Sequence, residues 1–136
     1  MPLNLLKLAV GIDTVDQLRA IRAERAAERG GSWIYTRNYP KRAHEVLAGG
    51  SIYWVIRGHI RVRQHVTGFR RERDENGRRY CLIEVDDDLV PTLSRAWRPF
   101  QGWRYLSPED APADRSVTAE PPSESMLAEL RALGLI

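Results

Sequence analysis

At 136 residues with one cysteine, the chain suits a single domain that folds without metal or disulfide staples, and Cys81 has no internal partner. No apolar run approaches the ~20 residues that span a bilayer, and the chain start lacks a basic-then-apolar signal pattern, so a cytoplasmic domain without membrane attachment is expected. Net charge is only +3 but segregated: ten Lys and Arg face four Asp and Glu from Lys41 to Arg79, whereas five Arg face ten acids from Tyr80 onward; the arginine-rich part favours a polyanionic partner.

Leu3 to Val10 reads as a first strand with Leu6, Leu8 and Val10 on one face. Thr14 and Gln17 have capping-box spacing and start a helix. Val15, Leu18 and Ile21 are its apolar stripe; Arg19, Arg22, Glu24, Arg25, Glu28 and Arg29 make its polar remainder, and Gly30-Gly31 ends it. Trp33–Arg37 is a second strand. Asn38 and Pro40 open a short helix over Pro40–Ala48, with Val46 and Leu47 as core contacts and Gly49-Gly50 as its stop.

Ile52–Arg57 carries bulk on both faces, the mark of a central strand, and Gly58 breaks or bulges it. Strict alternation then puts Ile60, Val62, Gln64 and Val66 on one face and His59, Arg61, Arg63 and His65 on the other. Asp74-Glu75-Asn76-Gly77, between Phe69–Arg73 and Arg78–Val85, predicts a tight Asn-Gly hairpin turn with both positions at positive φ. Asp86-Asp87-Asp88 ends that strand. Beyond Pro91 the chain reads as irregular until a last strand within Arg98–Leu106. Residues 1–110 thus form one α+β domain, a small, mostly antiparallel, barrel-like sheet with flanking helices, with Trp33 and Trp54 in its core. Residues 111–122 have linker composition. Residues 123–136 form a C-terminal helix whose Met126, Leu127, Leu130 and Leu133 are placed to pack on the domain or on a second copy.

The chemistry-bearing residues point to nucleic acid, RNA foremost, or to a nucleotide-bearing ligand. Lys41, Arg42, Arg57, His59, Arg61, Arg63, His65 and Arg104 are the candidate phosphate contacts. Trp103 lies among Trp97, Phe100, Tyr105 and arginines, either to stack on bases or to plug the core. Gln64 stands where the pattern wants an apolar residue, so it either bonds backbone inside or reads a ligand. His59 and His65 are roughly 20 Å apart along an extended strand, and Cys81 has no partner at zinc spacing. No metal and no cofactor are expected. Ser51 in Gly-Gly-Ser-Ile-Tyr has Tyr53 where a nucleophile elbow needs glycine. A small-molecule enzyme using Ser51, His59 and Gln64 is therefore the second reading, and a protein-interaction module docking through the terminal helix is the third.

Gly-Gly-Ser-Ile-Tyr-Trp-Val at 49–55 and Pro-Phe-Gln-Gly-Trp-Arg-Tyr-Leu at 99–106, followed by Glu109-Asp110-Ala111-Pro112, resemble the bacterial family catalogued as domain of unknown function 1489. The resemblance runs from Leu5 to about Asp114, leaves the tail outside, and implies no activity. At the level of fold, a short helix, a glycine stop, a strand with an inward Trp and basic strands are similar to the PUA and ASCH domains. That resemblance implies a compact barrel with a cleft for RNA; analogy of fold sets an expectation of function and no more.

Overall fold

The computed structural model describes residues 2–115. Its elements are β1 (Asn4–Leu8), α1 (Val15–Arg29), β2 (Trp33–Thr36), α2 (Ala43–Val46), β3 (Ser51–Ile56), β4 (His59–Arg73), β5 (Arg79–Val85), β6 (Val90–Ala96) and β7 (Trp103–Leu106). The sheet runs β2-β5-β4-β3-β1-β7, with β6 also on β4. Among the described residues only β1 and β3 pair in parallel; the other ladders are antiparallel. β4 is the spine. It holds β3 on one edge, while β5 and then β6 follow each other along the opposite edge. The two ends of the sheet curl toward each other, and Trp103 Nε1 beside β7 donates to the Asn38 carbonyl after β2 at 3.2 Å. No ladder joins β2 to β7. The sheet is mostly antiparallel, as the alternation implies, but it is open rather than a closed barrel.

Local chemistry explains the ends of the elements. Thr14 accepts from the Gln17 amide at 3.1 Å, and the Gln17 side chain accepts in return from the Thr14 amide, completing the capping box. Each double glycine divides its labour. Gly30 (φ 72) and Gly49 (φ 123) take backbone that other residues resist. Gly31 and Gly50 instead make room: a Cβ on Gly31 would lie 2.9 Å from the Trp33 ring, and one on Gly50 would lie 2.1 Å from the Leu3 carbonyl oxygen. The second helix is shorter than its sequence suggests, a single turn over Ala43–Val46.

A bulge decides the faces of β4. Trp54 lies opposite Val62 and Val55 opposite Ile60, which leaves Arg61 as the extra residue; the register with β6 shifts at the same place. Residues opposite each other share a face, so Ile60 joins Tyr53, Val55, Leu6 and Leu106 in a smaller core on one side. Val62 and Val66 join Ile52, Trp54, Ile56, Leu5, Leu18, Ile34 and Ile83 in the main core on the other. The single apolar face expected for Ile60, Val62, Gln64 and Val66 does not exist.

Gln64 is fully buried in the main core face. Its Oε1 accepts from Trp54 Nε1 at 3.0 Å, and its Nε2 donates to the Asp86 carbonyl at 3.0 Å. Its amide is thus spent on the fold and not on a ligand. Gln64→Leu strands the indole N–H and should cost about 2 kcal/mol. Combined with Trp54→Phe, the loss should fall short of the sum of the two single changes, because both remove the same bond; urea unfolding of the four proteins measures this. Strictly additive losses would show that the Trp54–Gln64 bond contributes nothing.

The turns also differ from expectation. Arg57 (φ 49) and Gly58 (φ 80) form the two-residue turn between β3 and β4, the only such pair at positive φ among the described residues. At Asp74–Arg78 the hairpin is present, but only Gly77 has positive φ. There the Asp74 carboxylate organises the loop, accepting from the Asn76 and Arg78 amides at 2.9 Å each. β6 replaces the irregular stretch expected beyond Pro91. Pro91 directs its carbonyl away from β4 to the Arg115 amide at 2.9 Å, so its missing N–H costs the ladder nothing. Asp114, assigned by composition to a linker, bridges to Thr92 on the outer edge of β6. Residues 116–122 of the expected linker and the C-terminal helix at 123–136 lie outside the described residues. No helix among the described residues is long and apolar enough to cross a membrane.

Candidate functional site

The bulge at Arg61 disperses the basic stripe. His59 stands opposite Ile56 on the main-core face, whereas Arg63 and His65 stand opposite Tyr53 and Ser51 on the other face. Arg63 is also occupied: its Nε and Nη2 bond both Asp114 carboxylate oxygens at 2.7 Å, and its Nη1 donates to Ser51 Oγ at 3.0 Å. That bond holds the Asp114 carboxyl below its ordinary value.

The remaining candidates are scattered. Arg42 makes a forked pair with Glu45 and lies 5.6 Å over the Tyr105 ring. Lys41 is exposed beside it. Arg57 is exposed at the hairpin tip, 3.8 Å from Asp13. Arg104 covers the Phe100 ring at 5.4 Å, on the opposite face from Trp103 because the two are sequence neighbours on β7. The second reading fares no better as geometry. Ser51 pairs with His65 at one end of the β3–β4 hairpin, His59 pairs with Ile56 at the other, and Ser51 and Gln64 are both buried. These three side chains do not converge.

A different set does converge. α1 packs Leu18 into the main core, and residues 18, 22, 25 and 29 recur at helical spacing on the side that meets the sheet. Between this side of α1 and the strands β1 and β2 lies a cleft of about 270 Å³ whose lining includes Lys7, Arg22, Arg25, Arg29, Trp33 and Trp54. A second cleft of about 530 Å³ occupies the gap between the sheet's ends, lined by Lys7, Tyr35, Arg37, Gln101 and Trp103 among others. Lys7 and Tyr35 border both, so the two make one groove. Among the described residues five cations line it and no carboxylate does.

Each cation is placed by the fold. Lys7 lies opposite Trp54 and Trp103 and shares their face; burial pushes its ammonium below the usual lysine value. Arg22 is 5% exposed, and its Nη2 donates to the Trp33 carbonyl at 2.7 Å. Burial, reinforced by repulsion from Arg25 and Arg29, lowers its guanidinium to about 10. Arg29 lies 6.0 Å over the Trp33 ring. Trp33, expected in the core, is only half-buried and walls this groove. Tyr35 is 49% exposed and leans on Tyr80 with ring centroids 5.2 Å apart.

Of the candidate binding residues taken from sequence, only Trp103 belongs to the groove. Lys7 was hidden because an alternating Leu3-Leu5-Lys7-Ala9 face looks apolar with one exception. The signal for Arg22, Arg25 and Arg29 was the spacing 15, 18, 22, 25, 29, in which arginine replaces leucine along the inward stripe.

The two motif blocks occupy the middle and edge of this sheet, as β3 and β7. The family model described as protein of unknown function (DUF1489) matches residues 5–136. The chain belongs to this family. The DUF1489 match extends through the tail, past the limit near Asp114 that the motifs suggested. No curated protein and no solved structure matches the chain, and no match shows the likeness to PUA and ASCH domains.

Proposed function

We propose that this chain binds single-stranded nucleic acid, RNA foremost, in the groove between α1, β1, β2 and β7. One observation carries the reading: five cations and three partly exposed aromatic residues line a single groove that, among the described residues, holds no carboxylate. Single-strand sites combine a positive track for the backbone with aromatic faces for the bases. Here Lys7, Arg22, Arg25, Arg29 and Arg37 supply the charge, and Trp33, Tyr35 and Trp103 supply the faces. The partner proposed from sequence is kept, and its seat moves from β4 to the groove.

Salt tests it. Each phosphate contact to a single strand contributes a log–log slope of roughly −0.7, so three to four contacts give about −2 to −3. Fluorescence anisotropy with a labelled RNA hexamer from 50 to 300 mM KCl, about a sixfold range, measures this slope over a span where screening changes substantially. Binding that ignores salt, or no binding at the lowest salt, would overturn the reading.

A further inference from the structure

The α1 end of the groove is built differently from the rest. Arg22 sits at its base and Arg25 and Arg29 follow on the same side of the helix, while Leu18, Trp33 and Trp54 wall it in. Among the described residues none of these three arginines has a carboxylate partner. Arg22 Nε is buried with no hydrogen-bond acceptor among the described residues. A buried cation with like charges beside it is costly unless an anion offsets it, and here the described residues supply only the Trp33 carbonyl.

We propose that this end is a phosphomonoester subsite, in which Arg22, Arg25 and Arg29 take the terminal phosphate of a strand or of a nucleotide. The proposal rests on the nucleic-acid reading and sharpens it. Depth selects the terminal group: a bridging phosphate brings two sugars, and a base closed by Leu18 and two tryptophans admits one. Charge selects it as well. A terminal phosphate carries nearly two negative charges at neutral pH, and a bridging one carries a single charge. Arginine's forked donors match its oxygens. Trp33 and Tyr35 line the same cleft, and their rings would take the first base.

The test uses the full chain and a uridine hexamer in three forms, with a 5′-phosphate, a 3′-phosphate or two hydroxyl ends, together with uridine 5′-monophosphate. One phosphorylated hexamer should bind about tenfold more tightly than the hydroxyl form. In Arg25→Gln/Arg29→Gln, two exposed changes that leave the core untouched, that advantage should fall to about twofold or less, while Lys7 and Arg37 keep some affinity for the hydroxyl form. Arg22→Gln should act likewise if it folds; if it does not, the exposed pair decides. Equal affinity for all three hexamers overturns the subsite and leaves the RNA reading standing. Thermal stabilisation by the mononucleotide without hexamer binding keeps the subsite and overturns the polymer reading. Indifference to every probe overturns both.

Discussion

Gly50→Ala should be the most damaging single methyl in this chain, lowering stability by about 4 kcal/mol or more. The added Cβ would lie 2.1 Å from the Leu3 carbonyl oxygen and 2.8 Å from that of Val46. Both obstacles are backbone, so no side chain can swing aside. Nor can the strands part easily. Gly50 donates to the Val46 carbonyl at 2.6 Å and accepts from the Val66 amide at 3.1 Å, tying α2 to β4. Gly30→Ala is the control: nothing lies within 4 Å of its Cβ, and only the left-handed backbone at φ 72 opposes it. That change should cost about 1 to 2 kcal/mol. Urea midpoints for the two variants separate steric exclusion from backbone preference. A Gly50→Ala protein as stable as Gly30→Ala would show that β1 and α2 do not pack as described.

Arg25→Glu/Arg29→Glu should weaken binding of an RNA hexamer by about 100-fold at 0.1 M salt. Both side chains are exposed on the rim of the groove, and neither has a described carboxylate partner to lose. The fold should therefore survive, because exposed substitutions typically shift stability by about 0.5 kcal/mol or less. Replacing these two like charges also removes the repulsion they exert on the buried Arg22. Arg61→Glu is the informative comparison. It alters the bulge residue of the former stripe and leaves the Arg63–Asp114 pair intact, so its effect on affinity should stay within about threefold. Unfolding curves taken alongside distinguish lost binding from lost structure. Equal losses in the two variants would return the interface to β4.

Short-range rules were legible wherever one motif decided the outcome. Thr14 and Gln17 announced a capping box, Gly30 a helix end, and Asp74–Gly77 a hairpin, and all three form. The bulge at Arg61 was not legible. The run His-Ile-Arg-Val-Arg-Gln-His-Val alternates with Gln64 as its one exception, and the shift arises because both faces of β3 must be covered by separate cores. β6 was hidden by Pro91, whose missing donor faces away from the ladder. The groove was hidden for a third reason. Its cations come from β1, α1 and β2 and meet only through the curl of the sheet, and arginine in an inward helical stripe looks like solvent-facing arginine until the partner surface is known.

Ultraviolet cross-linking of a bound RNA hexamer, followed by digestion with trypsin and peptide mass spectrometry, locates the interface directly. Cross-links should fall on the peptide from Gly30 to Arg37, which carries Trp33 and Tyr35, with a second site at Trp103. Cross-links confined to the peptide from Gln64 to Arg70, which carries His65, would contradict the groove and put the nucleic acid on β4.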